Sequence, residues 1–209
     1  MHTLGSNEVL DEVQLAIDEH NYGRLYDLGI NLVKKAANDS TWLDAVIIIT
    51  GYLVKSQPHL WDAMELSKRA ALQAPDQSAL QEKTTQSLLT CIAAFPDVED
   101  RVKASYSVVS IAPKTGKLIL ICLDVMLKNV SEVKDASTRK QYIKMVISYS
   151  PKNSPMIKRA ETLMVKTHIE IQETAKQNTK SQSDNSPLLG FVDRHQPNVA
   201  ELFNKKSKE

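Results

Sequence analysis

Residues 72–80 read LQAPDQSAL, residues 110–118 read SIAPKTGKL and residues 148–156 read SYSPKNSPM. Each stretch closes an apolar run, passes through a proline at its fourth position, offers small or polar residues, and returns to an apolar position. Pro75, Pro113 and Pro151 are equally spaced, on a 38-residue interval. One further step back falls on Ala37, inside KAANDSTWL at 35–43. There the small-residue pair and the Asn/Asp/Ser cluster recur without the proline.

The same interval aligns the flanking residues. Leu28, Leu66, Ala104 and Tyr142 form one column. Leu32, Ala70, Val108 and Val146 form a second, and Val33, Ala71, Val109 and Ile147 a third. After the turn, Trp42, Leu80, Leu118 and Met156 align. Proline lacks an N–H and holds the residue before it out of the α region, so it ends one helix. Asp, Ser, Thr or Asn just beyond it cap the next. Each copy therefore reads as two antiparallel helices that need neighbouring copies to cover their apolar faces.

The expected fold is all-α. It is a right-handed solenoid of antiparallel helix pairs with a repeat of about 38 residues, followed by a flexible C-terminal tail. Nine helices are expected, at 6–19, 22–36, 40–55, 58–73, 77–95, 97–111, 115–134, 137–149 and 154–176. The expected organisation is a helical-repeat domain at 1–176, a polar linker at 177–186 and a tail at 187–209.

Composition agrees with this class. With 42% hydrophobic, 24% charged and only 5% aromatic residues, and 6 Gly in 209 residues, a turn-rich β fold is disfavoured. Lys+Arg 26 against Asp+Glu 25 gives a net charge of +1, so no global field draws in nucleic acid or an anionic membrane. The residues that could make a local basic stripe are Lys34, Lys35, Lys68, Arg69, Arg101, Lys103, Arg139 and Lys140. No basic leader precedes an apolar stretch, and no apolar run approaches a membrane span, so a cytoplasmic protein is expected.

The spacing of Ala63, Ala70 and Pro75, with Gly51 and the 72–75 segment, resembles the small positions and closing proline of tetratricopeptide repeats. The resemblance spans about residues 22–176 and is closest at 44–76. Elsewhere the small residues give way: Arg101 and Arg139 stand where Ala63 does. The repeat is also longer than the usual tetratricopeptide unit of about 34 residues. The resemblance implies a stack whose first-of-pair helices line a concave groove that binds other proteins.

Those helices differ. Residues 42–54 (WLDAVIIITGYLV) and 118–127 (LILICLDVML) are apolar nearly all round, whereas 77–89 (QSALQEKTTQSLL) is polar. Two readings stay open for the apolar helices: burial at the centre of the stack, or exposure as a docking groove. The candidate groove residues are Ile48, Tyr52, Lys83, Gln86, Asp124 and Lys128. The first helix is acidic, with Glu8, Asp11, Glu12, Asp18 and Glu19 before the first basic residue, Arg24.

In the tail, Leu188, Leu189, Phe191, Leu202 and Phe203 return after the polar 178–186 stretch. They form a candidate docking motif, in cis as a cap or in trans on a partner. Cys91 and Cys122 show no metal spacing. A 38-residue shift puts Cys122 level with position 84, an axial offset from Cys91 of roughly 10 Å, so buried thiols are expected and not a disulfide. No HExxH, GxSxG, P-loop or GxGxxG occurs among these residues. The expected function is therefore non-enzymatic, without cofactor or metal. It is an adaptor, scaffold or chaperone that binds another protein, with self-association in a larger complex as the alternative.

Overall fold

The computed structural model describes residues 6–184 apart from 38, 76, 77 and 115, and the side chains of residues 8–177 within that span. Among the described residues the chain is all-α, with no strand. The helices are α1 (Ser6–Asp18), α2 (Tyr22–Ala36), α3 (Trp42–Leu53), α4 (Leu60–Gln73), α5 (Ala79–Ala94), α6 (Val98–Val109), α7 (Lys117–Glu132), α8 (Ala136–Tyr149) and α9 (Pro155–Asp184). A 3₁₀ turn at Gln57–His59 precedes α4, with Pro58 inside it.

The even-numbered helices α2, α4, α6 and α8 begin at Tyr22, Leu60, Val98 and Ala136, the same 38-residue step each time. Their N-cap positions keep the interval. Asn21 Oδ1 accepts from the Arg24 N–H at 3.0 Å, Asp97 Oδ1 from the Glu99 and Asp100 N–H groups at 2.7 and 3.2 Å, and Asp135 Oδ2 from the Thr138 N–H at 2.6 Å. His59 occupies the remaining cap position and makes no such bond. Its ring lies 2.9 Å from the Asp62 carboxylate in the first turn of α4. On the odd-numbered helices, Ser78 and Ser154 cap α5 and α9 by accepting from the Gln81 and Met156 N–H groups. These side chains satisfy N–H groups that the first helical turn leaves without partners.

Burial follows the same interval. Val46, Thr84, Cys122 and Ala160 are equivalent positions on α3, α5, α7 and α9, and each is fully buried. Leu32, Ala70, Val108 and Val146 form the matching buried column on the even-numbered helices. Gly29, Ser67 and Ser105 supply a small buried residue at a third shared position. At Gly29 the reason is contact: a Cβ there would lie 2.5 Å from Cδ1 of Leu66, which is itself sealed on α4.

An ion pair repeats as well. Arg101 on α6 reaches Glu132 on α7 at 3.3 Å, and in the next copy Arg139 on α8 pairs with Glu170 on α9. One step back, Ala63 and Ala94 hold the matching positions. The arginines that depart from the small-residue pattern thus enter with their own counter-charges.

The observed helices start and stop within a few residues of the expected ones, with one large correction. The ninth helix does not end at 176. It continues to Asp184, through residues expected as a polar linker. Residues 178–184 contain neither Gly nor Pro, and extending a formed helix costs far less than nucleating one. By internal contacts the chain divides into Met1–Ile171 and Gln172–Glu209; in the second unit the described residues are the helical ones up to Asp184.

Three stability outcomes follow. Asp97→Ala removes both acceptor bonds and lowers unfolding free energy by about 1 kcal/mol, with Asp97→Asn losing much less, in denaturant titrations. Two glycine substitutions separate in sign. Gly29→Val overpacks against Leu66 and costs about 1–3 kcal/mol. Gly51→Ala, where an added Cβ meets nothing within 4 Å, gains about 0.5–1 kcal/mol of helix propensity.

Candidate functional site

A groove runs between α3 and α5. On α3 the spacing 47, 50, 51, 54 sets Ile47, Thr50, Gly51 and Val54 on one stripe. On α5 the stripe is Lys83, Gln86, Ser87, Thr90 and Cys91, with Glu82 at its edge. The groove has a volume of about 580 Å³.

Small side chains open it. Gly51 contributes no side chain, and the facing Ser87 and Thr90 are short. Thr50 and Ser87 meet across the floor, Oγ to Oγ at 2.8 Å, and the Thr50 hydroxyl is also 2.9 Å from the Ile47 carbonyl. At one edge Lys83 donates to Asp44 at 3.0 Å, tying α5 to α3. The polar character of α5 thereby acquires a cause. Thr84 donates to the Leu80 and Gln81 carbonyls and Thr90 to Gln86, so these hydroxyls are satisfied within their own helix. They leave a lining that is short, hydrogen-bonded and not filled by large side chains.

The groove residues named from the sequence fall in several places. Lys83 and Gln86 line the α3–α5 groove, and Gln86 also borders a smaller one between α5 and α7, of about 260 Å³. Ile48 lies on α3 at 50% exposure, at the position matched by exposed Gln86 and Asp124 on α5 and α7. Asp124 pairs with Arg159 on α9. Lys128 borders a third groove, about 310 Å³, between α7 and α9, with Leu127, Leu163 and Lys166.

Tyr52 does not line the α3–α5 groove and turns toward the N-terminal helices. Its hydroxyl donates to the Ile17 carbonyl at 3.2 Å and meets His20 Nδ1 at 2.5 Å. Its ring stacks on Tyr22, which stacks on His59, with centroids 5.7 and 4.8 Å apart. An aromatic at this point of α3 is drawn to the ring-rich α1–α2 junction, which periodicity alone does not reveal. Leu188, Leu189, Phe191, Leu202 and Phe203 lie outside the described residues.

The apolar helices are buried over most of their apolar residues and exposed at a few. On α3, Leu43, Ala45, Val46, Ile49 and Leu53 are buried, while Ile48 is exposed and Ile47 borders the groove. On α7, Leu118, Ile119, Cys122, Leu123, Met126 and Leu127 are buried and Leu120 is exposed. Among the lining residues missed from sequence are Gly51, Thr50, Ser87 and Thr90. The signal for them was a glycine on one helix aligned with hydroxyl residues on the next.

The basic stripe is largely neutralised. Lys68 and Arg69 both pair with Glu65, Arg101 with Glu132, Lys103 with Asp100 and Arg139 with Glu170, and Lys35 sits 5.0 Å above the Trp42 ring. Glu65 is partly buried, which raises its pKa. Hydrogen bonds from Lys68 and Arg69 outweigh that and hold it below its usual value. Among the described residues no helix is long and apolar enough to cross a membrane, and no cluster of His, Cys, Asp and Glu is arranged to hold a metal.

Cys91, at the inner wall of the groove, and Cys122 are both buried free thiols. Burial pushes Cys122 up to about 12. It also raises Cys91, against a lowering hydrogen bond with Ser67. The thiolate is the reactive form. At neutral pH the native protein should therefore react slowly with a thiol reagent at both positions, and both thiols should react promptly once it is denatured. Fast labelling of the native protein would contradict the burial described here.

No protein-family model, curated protein or solved structure matches the chain.

Proposed function

We propose that the chain is a non-enzymatic protein-interaction module. In this reading it is a tetratricopeptide-like solenoid of helix pairs, acting in the cytoplasm as an adaptor, scaffold or chaperone. The solenoid reading is supported by the common 38-residue interval of helix starts, N-caps, sealed core positions and the Arg–Glu pair.

One observation carries the functional reading: the groove between α3 and α5. Its walls are Ile47, Gly51 and Val54 on one side and Lys83, Gln86, Ser87 and Thr90 on the other. An apolar wall facing a hydrogen-bonding wall suits a partner segment that inserts one large apolar side chain beside Gly51 and sets polar groups against α5. This is how amphipathic segments seat in helical grooves. No group in the groove is arranged as nucleophile and base; its hydroxyls are engaged with each other or with backbone carbonyls.

The test is a pull-down with the full chain and with Gly51→Trp. A Cβ at Gly51 meets nothing within 4 Å, and the ring beyond it is directed at a groove of about 580 Å³, so the substitution should fill the groove and leave the helix intact. Circular dichroism should be unchanged, and a partner held by the wild type should be lost by the variant. A partner retained by Gly51→Trp removes this groove as its site. A parallel chain lacking residues 187–209 then reports whether the tail motif holds it instead.

A further inference from the structure

A further groove lies where α5, α6 and α7 meet. Its volume is about 330 Å³, and it shares no lining residue with the α3–α5 groove. Leu89, Ile92, Ala93 and Val125 give it an apolar wall. Its polar lining is Arg101 from α6 with Lys128, Asn129 and Glu132, which follow Val125 along one stripe of α7.

Those polar groups are under-used. Asn129 is 7% exposed, and its side chain makes no hydrogen bond with any described residue. A buried carboxamide without a partner is costly, and native interiors seldom leave one. Arg101 meets Glu132 through one contact, Nη2 to Oε2 at 3.3 Å, which is long for a charge-assisted hydrogen bond. Lys128 is exposed and in no ion pair among the described residues.

The 38-residue interval separates what belongs to this groove from what the repeat brings everywhere. Arg139, Lys166, Thr167 and Glu170 are the counterparts of Arg101, Lys128, Asn129 and Glu132. Nε is buried without an acceptor in both arginines, so that orphan accompanies the Arg–Glu pair and does not by itself mark a ligand site. The Thr167 hydroxyl is also buried and unpartnered, but the α7–α9 groove is lined by neither Thr167 nor Arg139. One step earlier the four positions hold Ala63, Thr90, Cys91 and Ala94, with no charge. Among the described grooves, the guanidinium, the free ammonium and the unpartnered carboxamide line one cavity only between α5, α6 and α7.

We propose that this groove binds a small aliphatic monocarboxylic acid, with Arg101, Lys128 and Asn129 donating to its carboxylate and Leu89, Ile92 and Val125 covering its body. Two cations against Glu132 leave a net +1, which a single carboxylate neutralises. A phosphate dianion would exceed that charge and lie against Glu132. The guanidinium fork matches the planar carboxylate, and the Asn129 amide supplies a neutral donor deeper in the cavity. The volume is at the small end of ligand sites, roughly 300–1,000 Å³, which limits the body to a few carbons.

The test is a titration of the isotopically labelled full chain followed by amide chemical shifts. Isocaproate should shift the amides of residues 89–93, 101 and 125–132 and leave those of 163–167 in place. Its uncharged isostere isocaproamide, acetate, which has the charge without the body, and inorganic phosphate should each bind at least about tenfold more weakly. Lys128→Glu and Asn129→Leu should each weaken isocaproate binding by about tenfold or more with circular dichroism unchanged. Lys152→Glu makes the same charge change at an exposed residue of the turn before α9 and should leave binding as it is. If Asn129→Leu alters the circular dichroism, Lys128→Glu decides alone, because its side chain is exposed and unpaired.

Isocaproate that shifts none of these amides overturns the proposal. So does isocaproamide binding as tightly as the acid, which would make this an apolar cavity without a charge requirement. Acetate or phosphate binding as tightly as isocaproate would reduce it to an anion site without a place for the aliphatic body. Affinity unchanged by Lys128→Glu would remove the ammonium from the site and the proposal with it. None of these outcomes bears on the α3–α5 groove, which Gly51→Trp tests separately.

Discussion

Val46, Thr84, Cys122 and Ala160 occupy one position in four successive odd-numbered helices, and none of them touches solvent. The rest of the molecule depends on that constraint. A pair of short helices has apolar surface on more sides than it can cover, so each pair is stable only with another beside it. What varies down the column is volume: a valine, a threonine, a cysteine and an alanine. The helices adjust around those volumes. Where the adjustment is made with short hydroxyl side chains, between α3 and α5, a groove remains.

Charge is handled locally by the same arrangement. Arg101 and Arg139 stand at the position that Ala63 holds on α4, and each is answered by a glutamate on the helix that follows. A long cation at a crowded position would be costly without a partner. Lys83 with Asp44 and Arg159 with Asp124 link odd-numbered helices in the same fashion. These pairs are largely exposed, so their direct contribution to stability is small. Their effect is to leave the middle of the molecule near neutrality.

Much of the fold was legible because its determinants are local and recur. Proline, a capping Asp or Ser, and an apolar column at fixed spacing are visible in one dimension, and the helices lie where those marks place them. The groove was legible only in part. Lys83 and Gln86 could be picked out because they are polar on a helix expected to face inward. Gly51 and Ser87 matter by being small, and smallness is informative only once the facing helix is known. The placement of Tyr52 away from that groove could not be read from periodicity, because its orientation is decided by His20, Tyr22 and the Ile17 carbonyl, where α1, α2 and α3 meet. The extension of α9 to Asp184 was hidden by composition: a polar run without Gly or Pro reads as linker, yet it adds to a helix already formed at little cost.

The stack of His59 on Tyr22 on Tyr52, closed by His20, is the only aromatic chain of this length among the described ring contacts, and it sits where the end of α1 meets α2, α3 and the turn before α4. Terminal elements of a fold open at a lower free energy than its core. Here the ring stack holds the end of a terminal helix against three other elements, so amide exchange in α1 should be slower than its terminal position alone would suggest.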